Sequence, residues 1–490
     1  MVSGSRNSPC NSRVRRLTQG EFFMNRIFRG LFLKLLPVFL LAAALVPFCH
    51  AAPVLMISID GLKPEYITQA DAHGMKLPYL RTLVRDGAYA DGVVGIWPTV
   101  TYPSHTTLIT GVWPVEHGIY NNLEFDPQQH YSGAWNWYAP LIRVPTLWKA
   151  AHQAGLRTAS VGWPVSVGAT DVDYLIPEYW RSADPSGGSG TLNPADRLLI
   201  AGLSRPAALI EQLQPTAGEY MMGNDTSING DEVKTRYTIE ILRKMKPAFM
   251  TLHLSSLDET QHAHGPFSAE ADADLEALDG MMARLTKAAV AADPSAVVVL
   301  VSDHGFMDIT HLVNLYIPFL QAGLIDATIT PATKAPVIGS WKAEPWLAGG
   351  MAAVVLHDPN DRATEQQVKA MLDKLAADPA NGIAQILDRD AIKQRGAFPD
   401  AAFLVVLKPG YYTGQGTSGD LVTVIPTTRG SHGFSPEYPE MHSSFFAVGA
   451  GIAQNRNLGV VDMRQIAPTV AQILKVQMPT AKATPLHVEK

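Results

Sequence analysis

The residues of this sequence best suited to chemistry are acids and histidines that follow short apolar runs. Val54–Ile59 leads directly into Asp60-Gly61, Phe249–Leu254 is soon followed by Asp258, and Val297–Val301 leads into Ser302-Asp303-His304-Gly305. One acid after such a run is commonplace, because Asp begins turns and caps helices. Three, each in a His- or Gly-rich setting, call for another reason. Asp258 and His262 stand four residues apart, on one face of a helical turn, where they can bind one metal. Asp303 and His304 are adjacent, so their side chains diverge and can serve either or both of two neighbouring metals. The tight loop Gly430-Ser431-His432-Gly433 adds another histidine. A lone histidine is usually structural; together these form a set of oxygen and nitrogen donors that suits zinc.

A hydroxyl nucleophile is offered by Trp97-Pro98-Thr99-Val100-Thr101-Tyr102-Pro103-Ser104-His105. Pro103 fits the first turn of a helix. Thr101 then lies at a helix N-terminus, where backbone N–H groups and the dipole favour a bound phosphate. Thr99, Thr101 or Ser104 could equally cap that helix, and local sequence does not separate the three.

These residues need a scaffold. Val54–Ile59, Phe249–Leu254, Val297–Val301 and Phe445–Val448 read as buried strands, with helical stretches at Tyr79–Asp86, Thr146–Ala154, Asp231–Met245 and Ala269–Ala291. The alternation predicts an α/β sandwich with a mostly parallel central sheet. Ligands bind such sheets beyond the carboxyl ends of the strands. The stretch from about Ile317 to Pro426 differs. It combines Ala353–Leu356, a helical Thr364–Ala377, Phe403–Leu407 and a Gly-rich loop at Gly410–Gly419. It reads as a small α+β cap inserted at about 317–426 into a catalytic domain spanning 53–490.

Met24 to Ala52 reads as a secretory signal: Arg26, Arg29 and Lys34 precede the apolar run Leu35–Pro47, and small residues lie before Pro53. Met1 to Phe23 reads as an upstream extension. Residues 1–52 hold seven Lys or Arg and one Asp or Glu, so the whole chain's −6 becomes about −12 without them. Such a balance argues against nucleic-acid wrapping. Both cysteines, Cys10 and Cys49, fall in the same segment. A metal in the remainder is therefore held by His, Asp and Glu. The expectation is a periplasmic or secreted protein with no stable membrane span after cleavage.

The ordered motifs Asp60-Gly, Thr-Tyr-Pro-Ser-His, Asp258-x3-His262, Ser-Asp303-His304-Gly and Gly-x-His432-Gly resemble the alkaline phosphatase superfamily. Within it, the chain resembles the nucleotide pyrophosphatase/phosphodiesterase family from roughly Pro53 to Ala483. The resemblance implies an alkaline-phosphatase-like three-layer fold and two zinc ions per chain. It assigns one zinc to Asp258, His262 and His432, and the other to Asp60, Asp303, His304 and the Thr101 oxygen. It implies Thr101 as nucleophile, since the family's nucleophile precedes an aromatic-Pro pair, and Asn122 as the holder of a phosphoryl oxygen. Tyr102 could stack on a nucleotide base, with Tyr179 and Trp180 opposite. Two departures stand out: Thr-Tyr-Pro-Ser replaces the common Thr-Phe-Pro-Asn, and Gln261 replaces the Gly before the histidine.

The expected activity is hydrolysis of phosphodiester or pyrophosphate bonds in a small-molecule substrate, through a covalent phospho-threonine. A phosphomonoesterase, a lipid phosphodiesterase or a phosphonate hydrolase would use the same site. A sulfatase is opposed by the nucleophile type, and a phosphoglycerate mutase by the signal and the Thr. A non-catalytic binding protein is opposed by the completeness of the ligand set.

Overall fold

The computed structural model describes residues 51–128, 135–181, 194–221, 223–329 and 336–490. The upstream extension, both cysteines and all but the end of the signal-like segment lie outside the described residues. Among those described, no helix is long and apolar enough to cross a membrane.

Seven strands and four helices place the site. They are β1 (Val54–Ile59), β2 (Thr158–Val161), β3 (Phe249–Leu254), β4 (Val297–Val301), β5 (Met307–Val313), β6 (Val422–Ser431) and β7 (Phe445–Gly449), with α1 (Thr101–Thr110), α2 (Ile228–Met245), α3 (Ser256–His264) and α4 (Ala269–Ala292). An eight-stranded sheet runs in the order Arg456–Asn457, Ala88–Tyr89, β7, β4, β1, β3, β2, Tyr174–Ile176. The five strands from β4 to Tyr174–Ile176 are parallel, and β7 pairs antiparallel with β4.

Period-2 alternation explains the layering. Leu55, Ile57 and Ile59 of β1 join Met250, Leu252, Leu254, Val298 and Leu300 on one face, covered by α2 and α4. Val54, Met56, Phe249, Val297 and Val299 face the other way, against Leu108 and Ile109 of α1 and Trp148. Both faces are covered by helices, so these strands read as unbroken apolar runs. This is the α/β sandwich with a mostly parallel sheet that the alternation predicts.

A four-stranded antiparallel sheet, Ala343–Leu347, Met351–Leu356, Ala401–Leu407 and Ile383–Asp388, has its own apolar core with the Arg362–Ala376 helix. The Gly-rich stretch differs from its expectation as a loop. Gly410–Thr413 is a strand paired parallel with β5, and β6 pairs antiparallel on the other edge of β5. That three-stranded sheet begins at Met307, ten residues ahead of Ile317.

Candidate metal centre

β1, β3 and β4 are adjacent and parallel, so their carboxyl ends form one edge. Asp60 follows β1, Asp258 lies in the first turn of α3 just after β3, and Asp303-His304 follow β4. β6 ends at Ser431 and delivers His432 from the far side. Asp258, His262 and His432 come close enough to hold one ion, as do Asp60, Asp303 and His304. The His304 and His432 rings stack with centroids 3.7 Å apart, which sets the two groups side by side.

The hydrogen-bond directions say what these groups want. His304 Nδ1 lies 3.2 Å from Gly305 O, His432 Nδ1 3.1 Å from Thr99 O, and His262 Nδ1 3.2 Å from Gly430 O. A carbonyl oxygen only accepts, so each Nδ1 carries the proton and each Nε2 is left for another partner. His304 Nε2 faces Asp303 Oδ2 at 3.1 Å and Asp60 Oδ1 at 3.3 Å. His262 Nε2 faces Asp258 Oδ2 at 3.4 Å, and His432 Nε2 faces Asp258 Oδ1 at 3.7 Å. Burial holds all three imidazoles below their usual range, His432 at about 3, with neighbouring histidines adding to the effect at His304 and His432. Neutral lone pairs therefore point at carboxylates.

The carboxylates show the complementary defect. Asp60 Oδ1, Asp258 Oδ1 and Asp303 Oδ2 are buried without a hydrogen-bond partner. Burial raises all three pKa values, Asp60 to about 7, and their mutual repulsion adds to it. Orphaned carboxylate oxygens facing neutral imidazole nitrogens repel one another unless a cation lies between them. The donor set, with each histidine tied back to a backbone carbonyl, fits a metal ion.

Thr101 is the first residue of α1, and its Oγ1 is 3.4 Å from His304 Nε2. The helix cap is Val100, in extended backbone and with no side-chain capping bond, so none of the three candidate hydroxyls caps it. Thr99 Oγ1 instead donates to Phe434 O at 2.8 Å, while its carbonyl accepts from Gly433 N and His432 Nδ1. Ser104 is wholly buried. Asn122 Oδ1 accepts from Tyr102 N at 2.8 Å, which fixes the amide against the first turn of α1 and occupies that N–H.

Supporting residues come from afar. Gln261, fully buried, donates to Gly61 O at 3.0 Å and accepts from Tyr66, locking the turn after Asp60 onto α3. Gly61 N in turn donates to Asp303 Oδ1. Gly349 (φ +77) and Gly433 (φ +85) let two turns meet: a Cβ on either would lie 2.4 Å from a carbonyl of the other's segment. This contact seats the four-stranded sheet directly against the His432 loop.

Tyr102 departs from its expected place on a substrate wall. It is 1% exposed, its hydroxyl donates to Glu178 Oε1 at 2.6 Å, and Trp135 packs tilted against its ring at 5.1 Å. Trp180 is buried against Trp135 and Trp137, while the partly exposed Tyr179 packs on Trp137. The hydroxyl and the indole rings thus enclose the face that a base would need.

The sequence reading missed His253 and Glu178. His253 stands on β3, with Nε2 2.9 Å from Asp60 Oδ2 and Nδ1 3.0 Å from Glu178 Oε2. Burial would lower its pKa, but the two carboxylates overcome this and lift it to about 10. A histidine within a buried apolar run was the available signal. His105, quoted in the Thr-Tyr-Pro-Ser-His motif but given no role there, donates to Thr101 O at 2.9 Å and meets Ser58 Oγ at 2.9 Å, steadying the start of α1.

The chain is similar to known proteins over part of its length. Over 266 residues the chain is 26% identical to ectonucleotide pyrophosphatase/phosphodiesterase family member 1 of Rattus norvegicus, covering 52% of this chain and 24% of that relative. It is 22% identical over 267 residues to the venom phosphodiesterase CdcPDE of Crotalus durissus collilineatus, covering 53% of this chain and 27% of the other. The matched part thus spans about a quarter of the length of these curated relatives. Two solved structures share the fold. An inactive form of murine ectonucleotide pyrophosphatase/phosphodiesterase 5 in complex with AMP has a TM-score of 0.59 at 17% identity, covering 89% of this chain and 97% of that one. The human protein 5 has a TM-score of 0.58 at 18% identity, with the same coverage. The family model for type I phosphodiesterase / nucleotide pyrophosphatase matches residues 54–435, most of the chain and every candidate ligand, and the chain belongs to that family.

Proposed function

We propose that this chain is a two-zinc hydrolase of phosphodiester or pyrophosphate bonds that acts through a covalent phospho-threonine at Thr101. The observation that carries the reading is the pair of His/Asp groups whose imidazole lone pairs face orphaned carboxylate oxygens, with the Thr101 hydroxyl beside His304. One zinc is assigned to Asp258, His262 and His432, the other to Asp60, Asp303, His304 and Thr101. Bound there, zinc supplies Lewis-acid stabilisation of phosphate oxygens and lowers the pKa of a coordinated hydroxyl.

The chain's own residues do the rest. The Thr101 hydroxyl loses its proton to solvent as Oγ1 bonds to phosphorus and the ester oxygen departs with the bonding pair, and water later breaks the Thr101 O–P bond to release the phosphoryl group. Asn122, held by Tyr102 N, keeps its amide N–H free for a phosphoryl oxygen. His105 and Val100 fix the helix start that presents Thr101. A groove of about 380 Å³ opens beside His262, with Ile309, Leu312, Val424, Ile425 and Arg429 in its walls. The segment at about 317–426 acts as a cap, supported by its separate apolar core and its Gly349 contact with the His432 loop. A nucleotide substrate is supported by the AMP bound to the murine protein 5. Export to the periplasm or outside is supported by the relatives named as ectoenzymes and venom proteins.

The test is Thr101→Ala with metal analysis. Zinc should remain near two per chain while the chemical step falls by about 10³-fold or more. Thr101→Ser should keep measurable turnover. Near-normal turnover in folded, zinc-loaded Thr101→Ala would overturn the nucleophile. Comparing bis-p-nitrophenyl phosphate with p-nitrophenyl phosphate decides between diester and monoester.

A further inference from the structure

Four buried side chains from separate segments form one hydrogen-bonded line that ends at a metal-binding group. Tyr102, next to Thr101, donates its hydroxyl to Glu178 Oε1 at 2.6 Å. Glu178 Oε2 accepts from His253 Nδ1 at 3.0 Å, with Gly162 O 3.1 Å from the same nitrogen. His253 Nε2 donates to Asp60 Oδ2 at 2.9 Å. All of these partners of His253 are acceptors, so the ring donates from both nitrogens and has one orientation available. None of the four residues is more than 7% exposed.

The line decides how Asp60 presents itself. With Oδ2 committed to His253, Oδ1 is the oxygen left without a partner, and it faces His304 Nε2 at 3.3 Å. We infer that His253, braced by Glu178 and Tyr102, is a positioning residue: it turns Asp60 Oδ1 toward the metal held with Asp303 and His304, and ties that group to the residue following Thr101. This rests on the two-metal reading. A purely structural filler would not need these groups, since apolar side chains of similar volume avoid the desolvation cost of a buried Glu-His-Asp line. Outer partners of metal ligands fix ligand orientation, and losing one typically costs 10–100-fold in metal affinity.

The experiment is calorimetric titration of zinc into the chelator-treated full chain, resolving the two equivalents, for the parent, His253→Phe and Glu178→Gln. His253→Phe removes both donors and keeps a ring; Glu178→Gln keeps the volume and removes the bracing charge. We expect His253→Phe to weaken one equivalent by about 10–100-fold and leave the other within about 3-fold. Glu178→Gln should weaken the same equivalent by a smaller factor. Saturating zinc should then recover part of kcat with KM unchanged. A merely structural role would lower the melting temperature of the metal-free protein and leave both affinities at parent values, and that result overturns the inference. If His253→Phe fails to fold, Glu178→Gln decides alone. A parent that takes up no zinc sinks the two-metal reading and the inference with it. A parent that binds two, with variants that match it, sinks the inference only.

Discussion

Lys234 tests how the fold holds the site. Its ammonium is 2% exposed and meets Asp231 Oδ1 at 2.8 Å, Ser255 Oγ at 2.9 Å and His253 O at 3.2 Å. Asp231 also accepts from Ser255 N at 3.1 Å and Ser256 N at 2.8 Å. The pair therefore pins α2 to the turn between β3 and α3, just ahead of Asp258. Lys234→Met keeps most of the apolar stem and deletes the charge, leaving a buried carboxylate without a counter-ion. Breaking one side of a buried pair costs about 3–5 kcal/mol. The two backbone N–H bonds that Asp231 retains place the expected loss at the lower end, about 3 kcal/mol. For about 440 residues with an unfolding entropy of about 2.1 cal/mol/K each, this is a fall in Tm of roughly 3 °C. Denaturant unfolding in excess chelator reads it without the metal's contribution. Adding Asp231→Asn should recover part of the loss, because the uncompensated charge disappears. A cost under about 1 kcal/mol for Lys234→Met, or a double variant whose loss equals the sum of the singles, would refute the reasoning.

Three further outcomes follow from the same geometry. Burial raises the metal-free Asp60 to about 7 and lifts Asp258 and Asp303 with it, so zinc must displace protons; uptake near pH 6 should release protons, and apparent affinity should rise with pH through about 7, which buffer-dependent calorimetric enthalpies check. Gly349→Ala drives a Cβ to 2.4 Å from His432 O at φ +77; it should destabilise by about 2 kcal/mol or more and weaken the metal equivalent that uses His432, read by melting and zinc titration. Thr99→Val removes the donor to Phe434 O; it should cost about 1–2 kcal/mol yet keep turnover within about 10-fold, so a Thr101-sized loss of rate would misplace the nucleophile.

Much of the site was legible because its signals are local. A strand-length apolar run ending in Asp needs no distant partner to be recognised, and β1, β3 and β4 begin and end where the runs do. The Asp258–His262 spacing fixes a shared helical face by itself. Other features depend on contacts that spacing does not encode. Thr99, Thr101 and Ser104 are equivalent as local cap candidates, and the family resemblance alone favours Thr101; folding sets its hydroxyl beside a histidine 203 residues away. Gly410–Thr413 reads as a loop by composition but is a strand, because β5 supplies the partner its backbone needs. Tyr102 reads as a platform until Glu178 claims its hydroxyl and Trp135 covers its ring. His253 looks like a core residue within β3, and its role exists only where Glu178, 75 residues earlier, and Asp60 close on it from either side. Sequence by itself marked the candidate donor set and the strands that carry it, because hydrophobic period and ligand spacing are short-range. Tertiary structure alone decided which atoms are left unpaired, because a buried polar atom's partners are chosen by the packing of segments far apart in the chain.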